Sequence, residues 1–101
     1  MPTQQTLKKY GINMEEWQAL YDKHGGACHI CLKVPSSGRL NIDHFHVPKW
    51  RTMPPEDRKK FIRGLLCYVC NNRILTRGVS VEKLKRAVEY LEEWENKKPP
   101  V

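Results

Sequence analysis

Two stretches, Cys28-His29-Ile30-Cys31 and Cys67-Tyr68-Val69-Cys70-Asn71, decide how this chain folds. Each CxxC turn presents two sulfurs from one tight knuckle. Two knuckles close a tetrahedron of thiolates, which suits Zn²⁺ because its filled d shell imposes no other geometry. Cys28, Cys31, Cys67 and Cys70 are all the cysteines the chain has. A structural zinc held by these four is therefore expected, with no open position for chemistry. The 35 residues from 32 to 66 exceed the spacing of about 15–20 common in zinc ribbons. They must form structure of their own, and they contain Asp43-His44-Phe45-His46, read as an active-site cluster. Two disulfides or a CxxC redox centre are the competing readings. The polar Met1-Pro2-Thr3-Gln4-Gln5 start lacks the order of a secretory signal, and a redox centre uses one CxxC pair.

The rest of the chain is read outward from this bracket. Its 101 residues are expected to form a single domain over 1–101, with a core at 28–76. No apolar run approaches the ~20 residues that span a bilayer, so no membrane partner is expected and an intracellular setting is. The formal charge is +7, and the excess is localised. Residues 47–63 hold six basic side chains against two acidic ones, whereas residues 1–27 and 80–101 each balance. A positive field around the Asp-His cluster points to a polyanion, DNA or RNA, rather than to a basic loop kept for solubility.

Asn13 with Glu16 reads as a capping box opening a helix over about 13–24, with Met14, Trp17, Leu20 and Tyr21 on one face. Residues 1–12 read as irregular or weakly helical, with Leu7, Tyr10 and Ile12 as packing contacts. Pro35-Ser36-Ser37-Gly38 is a turn into a strand over Arg39–Ile42, and Phe61–Leu66 is the second extended segment. Strict alternation places Asp43 and His44 on opposite faces unless the strand ends or bends there. Residues 47–60 read as a loop with a helical turn from Pro55. Asn71–Leu75 reads as a short helix. Ser80 caps a last helix over about 80–96, whose stripe of Val81, Leu84, Ala87, Val88, Leu91 and Trp94 is expected to be core, with self-association into a homodimer as the runner-up. The fold class is α+β, mostly helical. His24 and His29 are expected at the surface.

Cys28-x-x-Cys31, Ile42-Asp43-His44-Phe45-His46 and Arg63-Gly64-Leu65-Leu66-Cys67-x-x-Cys70-Asn71 together resemble the phage recombination endonuclease VII family, within the HNH (ββα-metal) nucleases. The match spans about residues 10–95. The resemblance implies a small ββα-metal core between N- and C-terminal helices, and a Mg²⁺- or Mn²⁺-dependent phosphodiesterase acting on duplex or branched DNA such as four-way junctions. It implies that Asp43 and Asn71 hold the catalytic metal, that His44 is the general base and that His46 assists. If the chain is phage-encoded, the cytoplasm of a bacterial host is the setting. Two departures stand out. Phe45 replaces an acid common in the family, and segment 47–60 is longer than the short Gly-containing turn found there.

The chemistry suits these residue types. A histidine titrating near neutrality can take a proton from water, and a hard divalent ion takes a carboxylate and an amide oxygen. His46 is a second metal ligand or a phosphate donor, and Asn72 replaces Asn71 if the helix starts one residue later. Phosphate contacts are expected from Lys49, Arg51, Lys59, Lys60, Arg63 and Arg73. The competing function is a non-catalytic zinc-ribbon nucleic-acid-binding module, which has no need of Asp43, His44 and Asn71. An RNA-directed nuclease is the weaker third, since no RNA-binding signature is present.

Overall fold

The computed structural model describes residues 2–76 and 78–100. It is α+β and mostly helical, as the sequence indicates. Helix α1 (Gln4–Tyr10) and helix α2 (Met14–Lys23) precede a two-stranded sheet of β1 (Asn41–His44) and β2 (Ile62–Leu66). Between the strands lie a 3₁₀ turn (Trp50–Thr52), helix α3 (Pro55–Arg58) and a second 3₁₀ turn (Lys59–Phe61). A π-type turn (Cys70–Ile74) and helix α4 (Val81–Lys97) follow.

The start of the chain is more ordered than its sequence suggests. Thr3 caps α1, its Oγ1 accepting from the Thr6 N–H at 3.2 Å. Seven residues do not sustain a helix in water. This one is held by Leu7, which is fully buried, and by the turn at Gly11. Gly11 sits at φ +74°, and a Cβ there would fall on the Pro55 carbonyl, so only glycine lets α1 and α3 meet. Helix α2 opens on the expected capping box. Asn13 Oδ1 accepts from the Glu16 N–H at 2.8 Å, and Glu16 Oε1 accepts from the Asn13 N–H at 3.1 Å.

An isolated two-stranded sheet is marginal in water. Here one face is covered: Ile42 and Leu65 form a core with Leu7 and Trp17, flanked by Tyr10, Met14, Leu20, Tyr21 and Ile62. A second cluster joins Cys28, Cys70 and Leu66, with Leu40, Cys67 and Leu75 around it. The first strand runs two residues later than expected and so includes Asp43 and His44. The antiparallel register pairs Ile42 with Leu65, Asp43 with Gly64 and His44 with Ile62, leaving Arg63 as the extra residue of a bulge.

Segment 47–60, expected as a loop around one helical turn, is folded onto α1 and α2. Trp50 is buried. The Arg58 guanidinium lies 5.7 Å from the Trp50 ring centroid and donates to the Lys9 carbonyl at 2.9 Å. Lys59 pairs with Glu16 at 3.2 Å.

The last helix corrects another expectation. Ser80 caps it, its Oγ accepting from the Lys83 N–H at 3.1 Å. Its apolar stripe, however, is not core. Leu91 is 59% exposed and Trp94 51%. The molecule measures 52 × 31 × 18 Å with a radius of gyration of 16.5 Å, against about 13 Å for a compact chain of this length. Helix α4 projects beyond the core, so its stripe is left uncovered. No helix among the described residues is long and apolar enough to cross a membrane.

Candidate metal centre and active site

The two knuckles meet. The sulfurs of Cys28, Cys31, Cys67 and Cys70 all lie within 4.8 Å of one another, and none is in a disulfide. Cys31 and Cys67 Sγ are 3.9 Å apart, close to the edge of about 3.8 Å that Zn–S bonds of about 2.3 Å give a tetrahedron. Leu32, at φ +60°, turns the first knuckle, and its N–H donates to the Cys28 carbonyl at 2.9 Å. The Ile30 N–H points at Cys28 Sγ (3.4 Å) and the Cys70 N–H at Cys67 Sγ (3.5 Å). Burial opposes ionisation of Cys28, but hydrogen bonding from the backbone at Cys67, Cys31 and Ile30 outweighs it and brings that thiol to about 6. Burial, and then the neighbouring Cys67, Cys28 and Cys31, push Cys70 up to about 12. Four thiols this close do not ionise together without a cation among them, and a soft divalent ion resolves the conflict. The donor set fits a structural metal such as zinc.

His29, expected at the surface, locks this centre in place. Its Nε2 lies 3.0 Å from the Leu20 carbonyl, and its Nδ1 accepts from the Leu65 N–H at 3.4 Å. One ring therefore ties the first knuckle to α2 and β2. A Cβ on Gly64 would sit 2.5 Å from Nδ1, so the ring needs glycine on the facing strand. Burial, then the charge of His24, lowers the His29 pKa.

Asp43 is buried, with 6% of its surface exposed. A buried carboxylate needs a compensating charge, and Arg63 provides it: Nε donates to Oδ2 at 2.7 Å and Nη2 to Oδ1 at 3.0 Å. The bulge explains the meeting. Leu65 and Ile62 both pack on the core, so the extra residue Arg63 is turned to the side of Gly64 and Asp43. These two donors use one lone pair on each oxygen and leave another on each, which suits a hard cation approaching from the groove lined by His29, Gly64 and Leu75.

His44 leaves the strand on the other side. Its ring stacks on Trp50 (centroids 4.4 Å apart, planes at 22°), with Tyr10 at 5.5 Å and His46 at 4.6 Å. Burial, then the charge of His46, lowers its pKa, while Asp43 acts in the opposite direction. The bend at Asp43–His44 thus delivers Arg63 to Asp43 and does not turn the two acid–base residues into one groove. His46 links them: it lines a groove with His44 and another with Arg63. Asn71 lies beside β1 as the strand–strand–turn order implies, but it lines a cleft with Tyr10, Trp17 and Ile42. Asn72 donates to the Tyr68 carbonyl at 3.0 Å, within its own turn.

The six expected phosphate contacts divide. Lys59 pairs with Glu16, Lys60 with Asp57 (3.3 Å) and Arg63 with Asp43. Lys49, Arg51 and Arg73 are exposed and form no ion pair among the described residues. Sequence reasoning missed two residues at the His44 groove: Lys9, because α1 was read as irregular, and Trp50, because its segment was read as a loop.

The family model for recombination endonuclease VII matches residues 3–93, which covers the cysteine centre, both strands and most of α4. The chain belongs to the recombination endonuclease VII family. Two relatives in the family's phage setting are each named Gene 59 protein. The one from Mycobacterium phage D29 is 38% identical over 96 residues, which is 93% of this chain and 48% of the relative. The one from Mycobacterium phage L5 is 36% identical over 87 residues, 84% of this chain and 46% of the relative. The chain spans about half the length of these curated relatives. No solved structure matches it significantly.

Proposed function

We propose that this chain is an HNH-type, metal-dependent DNA endonuclease, resolving branched DNA or nicking duplexes, with its catalytic residues within the single domain of 1–101. The observation that carries the reading is His44, held by the Trp50 stack at the bulged end of β1 in a chain of this family. In the reading, the neutral His44 imidazole takes the proton from the attacking water, and His46 orients the phosphate. Asp43 would hold Mg²⁺ or Mn²⁺, and Asn71, which here lines a separate cleft, would join it on a shift of the Cys70–Ile74 turn; the bound ion supplies positive charge to the developing oxyanion. Arg63 keeps the Asp43 carboxylate compensated until then and is exposed enough to swing toward phosphate. The zinc centre is structural and takes no part in the reaction. Phage relatives support action in the cytoplasm of a bacterial host.

The test is cleavage of a linear duplex and of a four-way junction, with Mg²⁺ added or withheld. Cutting that depends on the added metal is expected, and the ratio of the two rates distinguishes resolvase from nickase. Binding without cutting under any divalent metal would leave a zinc-ribbon binding module.

The active form in this reading is a homodimer built on α4. The first half of that helix carries Lys83, Lys85 and Arg86 against Glu82, and the second half Glu89, Glu92, Glu93 and Glu95 against Lys97. Antiparallel pairing of two copies sets basic halves against acidic ones and covers the exposed Leu84, Val88, Leu91 and Trp94. Sedimentation equilibrium should give twice the chain mass for the native protein and the chain mass for Leu91→Glu. A monomeric native protein removes the dimer from the reading.

A further inference from the structure

We propose that Lys9, Lys49 and Arg51 form a seat for a DNA backbone phosphate adjoining the one attacked at His44. This rests on the reading of DNA as substrate, and it assigns the strand's path. The three cations border an open groove of about 400 Å³ together with His44, His46 and Trp50, and no carboxylate lines it. None of the three forms an ion pair among the described residues, whereas Lys59, Lys60 and Arg63 each do. Three uncompensated cations converging on one groove repel one another, and an anion lying between them removes that cost.

The backbone gives a second, independent argument. Lys49 adopts φ +62°, ψ +21°, a left-handed conformation that glycine adopts at far lower cost. Its carbonyl accepts from the Thr52 N–H at 3.0 Å and from Thr52 Oγ1 at 2.8 Å, starting the turn of Trp50–Thr52. That turn sends Trp50 inward onto His44 and leaves Lys49 and Arg51 outside. A lysine standing where glycine suits the backbone better points to a use for its side chain. Lys9 comes from α1, where Arg58 holds its carbonyl and its ammonium lies 5.6 Å from the Tyr10 ring centroid. The segment longer than the family's usual turn thus assembles the groove and fastens α1 as its other wall.

Lys49→Gly separates backbone from side chain. Binding of a duplex oligonucleotide is followed by fluorescence anisotropy across a salt series, without Mg²⁺ or Mn²⁺. The variant should unfold at the same temperature as the native protein or higher, yet bind about tenfold more weakly. Its plot of log affinity against log salt should lose about one unit of slope. Lys9→Gln should lose a similar amount, and Lys23→Gln, at an exposed lysine of α2 outside this groove, should leave the slope unchanged. Native slopes in both Lys49→Gly and Lys9→Gln would overturn the seat, even for a protein that cuts DNA. Reduced slopes in a protein that never cuts would support the seat while removing the nuclease reading.

Discussion

Cys67→Ser is expected to lose the bound metal and, with it, the folded centre of the molecule. Serine does not ionise at neutral pH, so three thiolates would remain to hold the ion. The apparent free energy of structural zinc in small finger domains is about 10–16 kcal/mol, as large as the whole stability of about 5–15 kcal/mol that a domain possesses. Beyond the ties that the His29 ring makes to α2 and β2, little else would hold this region. Cys28 and Cys70 are themselves core residues with Leu66, and both knuckles abut the short sheet. The rest of the core centres on Leu7, Trp17, Ile42 and Leu65. Metal content by mass spectrometry and far-ultraviolet circular dichroism would report the loss together. A metal-free Cys67→Ser protein with native dichroism and cooperative melting would contradict a structural role for the site.

His44→Ala is expected to reduce cleavage by about 10²–10⁴-fold, the range for losing a positioned general base. DNA affinity and metal content should stay native. The ring is only partly buried, and its removal leaves Trp50 still covered by Tyr10 and Arg58. The pH dependence follows from the lowered pKa. Burial, then the charge of His46, disfavours imidazolium, so the neutral base persists below the ordinary histidine value of about 6.5. Activity should therefore hold as pH falls to that value and decline only below it. The same shift bears on stability: the unfolded chain takes up the proton first, so the contribution of His44 to stability is present above about 6.5 and is lost as pH falls through the lowered pKa. Retained cleavage in His44→Ala would remove this residue from the mechanism, whatever the pH profile.

Much of this was legible in the residues themselves. Two CxxC pairs, the Asn13–Glu16 capping box, the Ser80 cap and the turn at Pro35–Gly38 are local patterns, and each appears where its chemistry requires. Alternation along β1 also anticipated that Asp43 and His44 point apart. Four things were decided only by the tertiary structure. Helix α1 exists because Leu7 finds Trp17 and Leu65, and because Gly11 lets Pro55 approach. Trp50 lies in the interior because Tyr10, from the distant α1, and Arg58, from α3 of its own segment, enclose it. The stripe of α4 looked like core because periodicity records that a face is apolar and not what covers it; the fold leaves that face open. The pairing of Arg63 with Asp43 depended on the bulge, which inserts one residue and so redirects a side chain that simple alternation sends to the core. Local chemistry thus determined the metal centre and the helix caps. The tertiary structure alone decided which cations remain free and which residues enclose His44.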